Sequence, residues 1–105
     1  MDNKKSIFKL KADINTLINY GFKKISDTEF VYRVPLYKYM NKVLIQGIFT
    51  ADVDENTISI EVIDNNTGTL YFPYYNADYG KNDVKKIVDR KMSTEINKMS
   101  KLNII

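Results

Sequence analysis

The spacing of apolar residues changes period twice along the chain. From Ser6 to Tyr20, the residues Ile7, Leu10, Ile14, Leu17 and Ile18 recur at helical steps with Lys9, Lys11, Asp13 and Asn15 between them, which predicts an amphipathic helix. Gly21 follows the last of them, where a left-handed residue ends a helix without steric penalty. From Phe22 to about residue 75 the period is 2 and β-branched and aromatic residues dominate. This predicts strands at Phe22–Ser26, Glu29–Tyr37, Val43–Val53, Thr57–Asp64 and Thr69–Phe72, with Pro35 forcing the second to an edge or a bend. A loop at Lys38–Lys42 and turns at Asp27-Thr28, Asp54–Asn56 and Asn65–Gly68 join them. Helical spacing returns from Asn82, a plausible N-cap, to Leu102, with Val84, Ile87, Val88, Met92, Ile96 and Met99 on one stripe.

The expected fold is α+β: an antiparallel β-meander of four to five strands, flanked by an N-terminal and a C-terminal helix packed on one face. Nothing divides the 105 residues, so the expectation is one domain over 1–105. Alternation also assigns the two faces of the sheet. Ile58, Ile60, Val62, Leu70 and Phe72 are expected to face the helices, and Ser59, Glu61, Ile63 and Tyr71 to face away, joined from a neighbouring strand by Val31 and Arg33 or by their alternates, the register past Pro35 being left open. A sheet face left uncovered with isoleucine and tyrosine on it is a candidate partner or homodimer surface.

Composition matters chiefly for what it removes. The chain has no cysteine and no histidine, which excludes disulfides, thiol chemistry, cysteine or histidine metal clusters and any triad with an imidazole base. Asp52, Asp54 and Asn56 occupy the first positions of a calcium-loop pattern, but Thr57 stands where its glycine belongs and Ile63 where its bidentate acid belongs. Turn chemistry explains them instead. The four glycines, at 21, 47, 68 and 80, are isolated, so no phosphate-binding loop exists, and Gly47 in mid-strand marks a bulge or a close backbone approach. No enzyme and no cofactor is expected. The N-terminus lacks an uninterrupted apolar segment and no run is long enough for a membrane span, so the expected location is cytoplasmic.

Charge and aromatics supply the candidate sites. Residues 1–68 balance at nine basic and nine acidic side chains, so the net charge of +3 lies in the last 37 residues. There Lys85, Lys86 and Arg90 on the final helix form a candidate phosphate-contacting surface, set against the simpler reading that Lys85 with Asp89 and Lys91 with Glu95 are neighbours on a solvated helix. Eight tyrosines are the other feature. Tyr37 and Tyr39 flank Lys38, while Tyr71, Tyr74, Tyr75 and Tyr79 surround Pro73 before the last helix. Such rings suit protein interfaces or base stacking, and equally suit covering the joint between sheet and helix.

The run "NNTGTLYFPYYNADYG" from Asn65, followed by a lysine-rich amphipathic helix, resembles the C-terminal part of small uncharacterised proteins of phages and mobile elements in low-GC Gram-positive bacteria. That resemblance implies a small accessory protein that binds and blocks a host protein. The expected function is therefore a non-catalytic interaction or inhibitor module. Nucleic-acid binding through the last helix and the tyrosine loops is the alternative, and a nucleotide or small-ligand binder a second.

Overall fold

The N-terminal segment is strand and helix in turn, not one helix. The computed structural model describes residues 6–76 and 82–105. In it β1 (Ile7–Lys9) pairs antiparallel with β5 (Thr57–Asp64), and α1 begins only at Ile14 and runs to Tyr20. Asp13 explains the late start: its carboxylate accepts from the Thr16 N–H at 2.9 Å, and that bond holds the acid below its usual range. Ile7–Lys9 satisfy an open strand edge, a tertiary gain that the helical spacing of Ile7 and Leu10 could not disclose. Gly21 ends α1 as expected, at φ 127 with its N–H shared by Leu17 and Ile18.

The described fold is α+β, a six-stranded antiparallel sheet with three helices. After α1 come β2 (Lys23–Lys24), β3 (Glu29–Tyr39), β4 (Lys42–Asp52), β5 and β6 (Thr69–Leu70). Across the sheet the order is β1-β5-β4-β3-β2, with β6 on the same edge of β5 as β1. The expected loop at Lys38–Lys42 is instead strand on both sides of a two-residue turn, Met40-Asn41, closed by the pair Tyr39 and Lys42. Pro35 lies on the outer edge of β3 as its missing N–H requires. Ile25 donates to the Glu29 carbonyl from outside, so alternate residues of β3 from Glu29 aim their backbone groups outward, and Pro35 is one of them. A register shift follows at Leu36.

The last strand is shorter than alternation predicts. It gives way to α2 (Phe72–Tyr75), whose first turn holds Pro73, before α3 (Asp83–Lys101) with Asn82 as its N-cap, accepting from Lys85 N–H at 2.7 Å. Register corrects the expected faces. Leu70 pairs with Ile63, on the side away from the helices, and is exposed, as is Phe72. Tyr71 donates its N–H to Val62 and packs on the core, the reverse of the expected arrangement.

The core lies between one sheet face and the helices. Phe30, Leu36, Phe49, Ile58 and Val62 from the strands meet Leu17 of α1 and Val88, Met92 and Met99 of α3, with Ile104 sealing one end. Met92 reaches the backbone of β4 at Gly47, where a Cβ would stand 2.8 Å from its sulfur and 3.1 Å from Val34 Cγ1. Close approach is therefore the reason for that glycine. The opposite sheet face bears no described helix and presents Arg33, Ile48, Glu61 and Ile63.

Candidate functional site

The tip of the β3–β4 hairpin combines exposure, strain and two of the residues singled out by sequence, Lys38 and Tyr39. Four non-glycine residues have positive φ among the described residues; three are asparagines, which tolerate it, and the fourth is Met40 at φ 51. A two-residue turn with both φ positive favours Asn-Gly, so a methionine in the first place is held at a cost of about 1–2 kcal/mol. It is not there to pack: Met40 is 83% exposed and Tyr39 beside it 60% exposed. Lys38 and Lys42 are exposed around them, while Tyr37 turns back against the core. Asn65 braces the hairpin from the β5–β6 turn, donating its backbone N–H to Leu44 O and its side-chain amide to Val43 O, so both features lie at one end of the sheet.

The second tyrosine group has a different environment. Tyr74 is buried, with its ring edge-on to Tyr75 at 5.1 Å. Tyr75 Oη accepts the Val62 N–H at 2.9 Å, filling the gap on the β5 edge between β1 and β6. A backbone donor that would otherwise lie open at an edge is thereby satisfied. Tyr79 lies outside the described residues. Tyr39 thus faces solvent at the tip, whereas Tyr74 and Tyr75 hold the sheet margin.

On α3, Lys85 pairs with Asp89 at 2.9 Å and its side chain is largely covered, whereas Lys86 and Arg90 are exposed. The other expected pair does not form. Glu95 turns inward, 9% exposed, and its carboxylate accepts from the Tyr20 hydroxyl. Tyr20 stands edge-on to Tyr32 at 5.1 Å, and Lys98 Nζ lies 5.4 Å above its ring. Burial first, and the Glu95 carboxylate second, push both the Tyr20 and Tyr32 phenols above their ordinary value. Sequence reading placed Glu95 at the surface because Lys91 precedes it by four. The overlooked signal is that it falls seven after Val88 and four before Met99, on the apolar stripe itself.

Four surface grooves of 270 to 410 Å³ occur at the bottom of the ligand-site range, and none of these four is lined by Tyr37, Tyr39, Tyr71, Tyr74 or Tyr75. Among the described residues no group of three or more acidic side chains could hold a metal, and no helix is long and apolar enough to cross a membrane. The Asp52 carboxylate accepts from the Asp54 and Glu55 N–H groups, as turn chemistry predicts. No protein-family profile, curated protein or solved structure matches the chain.

Proposed function

We propose that this chain is a non-catalytic binding protein that engages a partner protein through the β3–β4 hairpin tip. The observation that carries the reading is Met40: a large apolar side chain kept in water on a backbone conformation that suits asparagine or glycine. Strain retained at an exposed position without packing in return is what a contact residue shows before its partner arrives. Tyr39 adds rigid aromatic area and Lys38 and Lys42 a cationic rim, the composition of a small interface hot spot. The resemblance of the C-terminal third to phage and mobile-element proteins supports an accessory or inhibitory role against a host protein, in the cytoplasm.

Capture from a lysate of a low-GC Gram-positive host tests this. Tyr39→Ala and Met40→Ala variants, both at solvent-exposed positions, are expected to keep the fold and lose the protein retained by wild type. Retention unchanged in both variants contradicts the reading. Retention of nucleic acid instead, lost steeply with added salt and with Lys86→Ala and Arg90→Ala, favours the phosphate-contacting surface of α3.

A further inference from the structure

We infer that the uncovered sheet face is the contact between two copies of this chain, related by a twofold axis running along β4. Three strands hold the face in register. Arg33 of β3 and Glu61 of β5 are both cross-strand neighbours of Ile48 of β4, so base, isoleucine and acid stand in one row across the face. Arg33 and Glu61 are exposed and make no ion pair with each other within the chain. Two strand spacings, about 10 Å, separate them.

Consider two such faces stacked about 10 Å apart, as sheets pack. A twofold axis between them and parallel to β4 exchanges left and right while preserving position along the strands. It sets Ile48 on Ile48, and sets Arg33 of each copy over Glu61 of the other, twice. The next row obeys the same operation: Ile63, Gln46 and Pro35 are cross-strand neighbours, so Ile63 meets Pro35 of the second copy and Gln46 meets Gln46. The other in-plane axis, across the strands through that row, brings Arg33 onto Arg33 and Glu61 onto Glu61, two like pairs in the row itself against the single Asp52–Asp52 approach that the axis along β4 makes two rows away, and repulsion disfavours it. Charge complementarity therefore selects both the occupant and the orientation. About four strands 4.8 Å apart and eight residues at about 3.3 Å give ~500 Å² per copy, or ~1,000 Å² in all, which reaches the lower bound of a specific interface.

This interface is separate from the hairpin tip, so the two ideas fail independently: Tyr39→Ala and Met40→Ala leave the dimer intact. Sedimentation equilibrium of the full chain over a concentration series is the test. Wild type is expected at twice the 12.2 kDa chain mass at the upper end of the series. Arg33→Glu alone, and Glu61→Arg alone, place like charges together twice and should weaken dimerisation by roughly ten-fold or more. Combining them restores the complementary pairs, and with them the wild-type constant. A wild-type chain that stays at 12.2 kDa throughout overturns the inference, as do single variants that dimerise like wild type or a charge-reversed double variant that stays monomeric while folded.

Discussion

Removing the Tyr20 hydroxyl isolates the least anticipated contact in the molecule. Tyr20→Phe keeps the ring, and with it the contacts to Phe22 at 6.1 Å and Tyr32 at 5.1 Å, and deletes only the donor to Glu95. Hydrogen bonds to charged groups contribute about 1.5–3 kcal/mol, and a buried carboxylate left short of a donor costs a similar amount. A destabilisation of ~2 kcal/mol is expected. With unfolding entropy near 2.1 cal/mol/K per residue, a chain of 105 residues changes by about 0.22 kcal/mol per degree, so Tm should fall by ~9 °C. Urea and thermal unfolding of a double-mutant cycle check both size and cause. In the Glu95→Leu background, where no carboxylate remains to satisfy, the same substitution should cost less than ~0.5 kcal/mol. A Tyr20→Phe variant within ~0.5 kcal/mol of wild type, or an equal cost in both backgrounds, refutes the reasoning.

Relief of strain at the hairpin tip should be visible as well: Met40→Asn is expected to stabilise the fold by ~0.5–1 kcal/mol, raising Tm by about 2–4 °C in calorimetry. Gly47→Val drives carbon atoms into Met92 and Val34, and a loss of ~2–3 kcal/mol in unfolding free energy, measured by urea titration, is expected. Alkaline unfolding has a definite sign. Tyr20 and Tyr32 are raised in the folded state, so their contribution is fully present below about pH 10, where unfolded tyrosine ionises, and is lost as pH rises beyond it. Stability should therefore decline above about pH 10, less steeply in Tyr20→Phe, and a flat profile to about pH 11 would contradict that assignment.

Legibility in the sequence followed the strength of the local signal. Thr57–Asp64, with unbroken alternation, forms a strand over that same span, and α3 begins at the cap expected of Asn82. Ile7 to Leu10 misled because three apolar positions fit either period and only the edge of β5 decides between them. Leu70 and Phe72 fall on the other face for another reason: alternation does not survive the Asn65–Gly68 turn, and the pairing of Ile63 with Leu70 sets their side. The tip was hidden by its polarity, since Lys38, Asn41 and Lys42 read as loop and gave no hint that Met40 carries a positive φ. Glu95 shows a limit of charge pairing rules: a lysine four residues away is available on the surface, yet a tyrosine 75 positions earlier holds the carboxylate.

The binding role proposed for the hairpin tip is tested most directly by oxidation footprinting of its methionine. In the free protein, dilute peroxide should convert Met40, 83% exposed, to the sulfoxide far faster than Met92 and Met99, which are fully buried and serve as internal controls. With the proposed partner bound, the rate at Met40 is expected to fall toward that of the buried pair. Oxidation of Met40 at its free rate while the partner remains bound would contradict the assignment.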